Sequence, residues 1–166
     1  MEISRTHTFD HPLEVCWAMF HDPASHVAKF EAMGHRELEL VSSDVTDGSI
    51  RLVIERLVDV DVPGFAKRVM QPTNLLRSVD EWHAAEDGTY RGIFELETRG
   101  VPIQISGATR LESAGEATEY EIVIDLSVRV PLIGGRIAQH SRGIVERQVT
   151  EEFRLGDEWL ASHGPS

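Results

Sequence analysis

The clearest pattern in the chain is an alternation over residues 117–130. Tyr120, Ile122, Ile124, Leu126 and Val128 share one face, and Glu119, Glu121, Asp125 and Ser127 share the other. Residues 89–99 repeat it, with Tyr90, Gly92, Phe94 and Leu96 opposing Arg91, Ile93, Glu95 and Glu97. Strands with one apolar and one wet face belong to an antiparallel sheet covered on one side. Further extended segments are predicted over 36–44, 49–60, 75–86 and 103–113, joined by hairpin signals at Asp47-Gly48, Asp87-Gly88 and Gly115. By the same rule Ile50, Leu52, Ile54, Arg56 and Val58 point inward, as do Ile103, Ile105, Gly107 and Thr109. A first strand is predicted over 2–10, where Ile3, Arg5, His7 and Phe9 alternate with Glu2, Ser4, Thr6 and Thr8.

Elsewhere the pattern turns helical. A short helix is predicted over 11–21, with Asp10 as its cap, Pro12 in its first turn and Glu14 near its positive end. A second is predicted over 23–33, capped by Asp22, begun by Pro23 and stopped by Gly34. The stretch "VPGFAKRVMQPT" interrupts the strands and reads as a helical turn or loop carrying Phe65, Val69 and Met70. After Pro131 a long helix is predicted over 132–161. At about 100° per residue, its Ile133, Ile137, Ile144, Val145, Val149, Leu155 and Trp159 form one broad stripe, a natural cover for the sheet. The whole, residues 1–166, reads as a single α+β domain.

Composition narrows the function. With 41% hydrophobic and 27% charged residues the chain reads as globular. No apolar run approaches the roughly 20 residues needed to cross a bilayer, and no secretory leader is evident at the start. A lone cysteine, Cys16, fits a reducing cytoplasm. The net charge of −12 opposes binding to nucleic-acid phosphates or anionic membranes, so neither nucleic-acid binding nor membrane insertion is expected. The sequence names no protein partner.

Three polar residues stand inside the apolar stripe of the last helix: Ser141, Gln148 and Glu152. A buried polar group without a partner costs about 1–3 kcal/mol, so they point to a cavity, to bonds with strand backbone, or to a helix end that overhangs into solvent. Arg56 interrupts an inward apolar face and either is turned outward by a bulge or should meet a carboxylate, with Glu152 a candidate, or a ligand anion. Arg5 and His7 share a face with Ile3 and Phe9 and raise the same question. The eight histidines show no metal-binding spacing, and no phosphate loop or catalytic triad is spelled out, so no metal or cofactor is expected. Cys16 sits in an apolar helix beside Trp17 and Met19 and reads as packing.

The element order, the opening "FDHPLEVCWAMFHDPASHVAKF", the closing "VPLIGGRIAQHSRGIVERQV" and the stretch "VPGFAKRV" resemble the START-like, or SRPBCC, superfamily. This group includes polyketide cyclases, plant allergen-type binders and lipid-transfer domains, and the chain looks most like its branch called domain of unknown function 2505. The resemblance implies a helix-grip fold: a curved antiparallel sheet of about seven strands around the last helix, with a cavity between them. It implies binding, transport or sequestration of a hydrophobic or amphipathic small molecule. Phe94, Tyr120 and Ile137 are then expected on the walls, Phe65, Val69 and Met70 at a portal, and Arg56, Ser141 and Gln148 at the ligand's polar end. Two alternatives stand beside it. One is a protein-interaction module with a plugged cavity. The other is a cyclase- or dehydratase-like enzyme, for which His7, Glu152 and Tyr120 are possible acids or bases but no catalytic residue is singled out.

Overall fold

The computed structural model describes residues 1–164. Its elements are β1 (Glu2–Phe9), α1 (Leu13–Phe20), α2 (Pro23–Ala32), β2 (Arg36–Thr46), β3 (Ser49–Asp59), a 3-10 turn (Gly64–Ala66), β4 (Thr73–Ala84), β5 (Tyr90–Thr98), β6 (Ile103–Ala114), β7 (Ala117–Val128) and α3 (Gly134–His163). All pairings are antiparallel, in the order β1-β7-β6-β5-β4-β3-β2. The last strand thus joins the first, and the long meander runs outward from there. α3 lies across the apolar face of this curved sheet.

Local signals explain most of the boundaries. The Asp22 carboxylate accepts from the Ala24 amide at 2.9 Å, and Pro23 opens α2. Gly34 ends it at a φ of +85°, a conformation that suits glycine. Asp10 does not cap α1. Pro12 occupies the N-cap position in extended conformation and the helix starts at Leu13, which leaves Asp10 too far upstream to reach the first free amides.

Curvature has a visible cause in β6. A Cβ on Gly107 would lie 2.4 Å from both the Val123 carbonyl oxygen and Phe94 Cζ, and Phe94 faces Gly107 in register. The bare backbone admits the aromatic ring on the inner face, the device by which glycines let a sheet curl.

Burial divides into two apolar clusters. The larger joins Ile3, Phe9, Trp17, Leu52, Trp82, Tyr120 and Val149. Trp17 of α1 stacks on Tyr90 with centroids 4.1 Å apart, which ties the short helices to the sheet. The smaller cluster centres on Ala66, Met70 and Ile137, with Phe65, Val101, Val130 and Ile133 against it. Cys16 is fully buried, and burial raises its thiol pKa, as a packing residue requires.

Candidate ligand cavity beneath the C-terminal helix

Two chambers lie under α3. The outer one, about 240 Å³, sits between α2 and the C-terminal half of α3, lined by Phe9, Met19, Phe153, Leu155 and Trp159 among others. The inner one, about 100 Å³, lies against the sheet and is lined by Phe94, Leu96, Ile105, Thr109 and Ile124, with a polar side formed by Arg56, Ser78, Asp80 and Gln148. Phe20, His26, Lys29, Tyr120 and Glu152 line both, so they form a shared wall. Together the chambers reach the lower end of the roughly 300–1,000 Å³ typical of small-molecule sites.

The sheet register places the polar groups. Arg56 follows Ile50, Leu52 and Ile54 on the inner face of β3, and the facing residues of β4 are Trp82, Asp80 and Ser78. Arg56 is 2% exposed. Its Nη1 donates to Ser78 Oγ at 2.7 Å and its Nε to His35 Nδ1 at 3.1 Å, while its guanidinium carbon sits 3.7 Å from the centre of the Phe30 ring. No carboxylate lies within ion-pair distance of it among the described residues. Burial therefore lowers its pKa, opposed by the charges of Asp80 and Glu152. A guanidinium stays protonated under such a load, so the inner chamber carries a fixed cation.

Its neighbours are tuned around it. Burial, and then the charge of Arg56, lowers His35 to about 4, which leaves the ring neutral with Nδ1 free to accept. His26 is likewise lowered to about 4, by burial and then by Lys29, and its Nε2 bonds the Phe20 carbonyl at 2.8 Å. Burial raises the Asp80 carboxyl, opposed by Lys29, Arg56 and Ser78. Tyr120 is raised well above its ordinary value by burial and by the nearby acids. Across the shared wall Lys29 Nζ meets Glu152 Oε2 at 3.3 Å, an ion pair joining α2 to α3.

Glu152 thus pairs with Lys29 and not with Arg56, although both line the inner chamber. Of the residues expected at a ligand, the fold brings Arg56, Phe94, Tyr120 and Gln148 together around the inner chamber. Phe65, Val69, Met70 and Ile137 pack against one another in the smaller cluster and line neither chamber. Ser141 is buried one helical turn from Ile137, and its hydroxyl has no hydrogen-bond partner. Arg5 and His7 reach α3 from β1, where Arg5 pairs with Glu146 at 3.2 Å and His7 with Asp157 at 3.0 Å. Sequence reasoning passed over Lys29, His26, His35 and Asp80 as cavity residues. For Asp80 the signal was present in the alternation Leu76, Ser78, Asp80, Trp82. For the α2 residues no periodicity announces a cavity.

A family profile described as "Protein of unknown function (DUF2505)" matches residues 4–160. The chain belongs to the DUF2505 family. No curated protein matches it by sequence. Among solved structures, this DUF2505 protein is similar to TTHA0849 from Thermus thermophilus, with a TM-score of 0.67 and 13% identity over 99% of this chain and 100% of that one. It is similar to human STARD10, with a TM-score of 0.63 and 11% identity over 98% of this chain and 66% of that one. It is also similar to a START superfamily protein from Mycobacterium smegmatis, with a TM-score of 0.57 and 13% identity over 96% and 98% of the two chains. Identities this low establish a shared fold alone. That fold is the START-like helix grip.

Proposed function

We propose that this DUF2505 protein binds an amphipathic small molecule, with its polar end against Arg56 and Asp80 and its apolar body against Phe94, Tyr120 and the aromatic walls of the outer chamber. The observation that carries the reading is Arg56: a buried cation, unpaired with any carboxylate, facing a chamber beside Asp80. Burying a charge without an ionic partner is costly, and a bound anion or dipole relieves that cost. A solid core would favour an apolar residue at this position. Apolar walls with a few placed polar groups are also the ordinary composition of ligand sites.

The test begins with native mass spectrometry of gently purified protein, followed by extraction and identification of whatever is bound. A stoichiometric adduct is expected. Arg56→Met should then weaken binding of the extracted molecule about tenfold or more, the worth of a hydrogen bond to a charged group, while the protein stays folded by circular dichroism. Unchanged affinity in that variant would remove Arg56 from the site. A bare mass, with no thermal shift across lipids and aromatic acids, would sink the ligand-binding reading.

A further inference from the structure

The net charge of −12 conceals a polarised molecule. Register places the connections 60–72, 99–102 and 129–133 at one end of the sheet, beyond Asp59, Thr73, Thr98, Ile103 and Val128. The turns at 47–48, 85–89 and 115–116 lie at the other end, with the β1–α1 connection. That second end holds Asp10, Asp47, Glu86, Asp87 and Glu116 and no lysine or arginine in its connections. At the first end the three loops contain one carboxylate, Asp61, against Lys67, Arg68, Arg99 and Arg129, with Arg136 in the first turn of α3.

These five cations are exposed, and among the described residues none forms an ion pair. Elsewhere among the described residues only buried Arg56 and Arg147 of α3 share that condition. All the other basic side chains have an acidic partner. The loops form one platform. The Arg129 amide bonds the Pro102 carbonyl at 3.0 Å, the His140 ring bonds the Asp61 carbonyl at 3.1 Å, and the Arg136 guanidinium lies 4.0 Å from the centre of the Phe65 ring. The smaller apolar cluster, with residues from all three loops, supports them from below.

From this platform Leu132 projects. It is 103% exposed and held at a φ of +69°, a conformation that strains a leucine. α3 begins directly behind it with no acidic residue in its first turn, so the positive end of the helix adds to the cations.

We propose that this loop end is a docking surface for an anionic lipid bilayer, with the five cations on the headgroups and Leu132 in the interfacial layer. Basic side chains around a projecting apolar one are the combination a negatively charged membrane surface rewards. Phosphate chains of nucleic acid would engage the cations and give the leucine nothing. Docking of this kind needs no spanning segment, and among the described residues no helix is long and apolar enough to cross a membrane.

The experiment is co-flotation of the full chain with vesicles of phosphatidylcholine alone and of phosphatidylcholine mixed with phosphatidylserine, and it does not depend on what fills the cavity. Binding to the mixed vesicles only, weakening with added salt, is expected. The double variant Arg68→Gln/Arg129→Gln should lose roughly twenty-five-fold in vesicle affinity, at about fivefold per cation. Leu132→Gly should also bind more weakly while melting no lower than wild type, since glycine accepts that backbone conformation. Arg91→Gln, at the opposite end and paired with Asp87, should leave binding unchanged. Failure to float with mixed vesicles would overturn the proposal, as would equal binding by the double variant. Full retention by Leu132→Gly, together with equally strong capture on polyglutamate, would reassign the patch to an acidic polypeptide.

Discussion

The two halves of α3 solve opposite problems with the same periodicity. The N-terminal half seals: Ile137, 1% exposed, closes against Ala66 and Met70, and nothing titratable is buried there. The C-terminal half roofs. From Val145 onward it covers a space whose other walls hold Arg56, Asp80, His35 and His26, and its own stripe contributes Gln148 and Glu152. A solid core fills its volume with apolar atoms, whereas a hollow one needs its polar groups placed where they face the space. One helix does both because the sheet beneath it changes character, from close-packed loop residues at one end to a concave wall at the other. Ser141 sits at the border, on the sealed side, and its unpartnered hydroxyl shows that a polar residue in the stripe does not by itself mark the cavity.

The contrast can be broken at the sealed end first. Ile137→Ala should cost roughly 3–4 kcal/mol in chemical denaturation, within the range for emptying a tightly packed aliphatic site. A loss below about 1 kcal/mol would mean that this end yields as readily as a hollow one.

The hollow end should be the acid-sensitive one. His26 and His35 have folded values near 4, below the 6.5 of a free histidine, so the unfolded chain takes up their protons first. Their contribution is complete above pH about 6.5 and is lost as pH falls toward about 4, on the order of 3 kcal/mol for the buried His26. Asp80, raised by burial, works the other way: its ionisation in the folded chain costs stability as pH rises through its folded value. Denaturation midpoints measured across this interval should fall with acid, and His26→Gln should flatten the slope. An unaltered slope in that variant would relocate the acid sensitivity.

The smallest effect belongs to the border. Ser141→Ala should raise stability by about 1 kcal/mol, since it removes an unpartnered buried hydroxyl and improves helix propensity. Destabilisation would reveal a partner for that hydroxyl.

Much of this was legible in the chain. The alternation over 89–99 and 117–130 and the stripe of α3 marked the strands and their covering helix, since each records which face meets water, while the helix-grip arrangement came from the family resemblance. The Asp22 cap and the Gly34 stop were local chemistry that nothing distant overrides. Arg56 was readable as an inward charge because it broke an apolar face. Its partners were not, since His35 and Ser78 come from a loop and a strand whose register only the folded sheet supplies. Phe65 and Met70 have the composition of a portal; in the fold they pack with Ile137 and line neither chamber. Amphipathic period thus determined what is buried, because burial depends on local side-chain polarity. Tertiary structure decided what is hollow, because a cavity is the volume left where sheet curvature and helix position hold apart surfaces that are far separated along the chain.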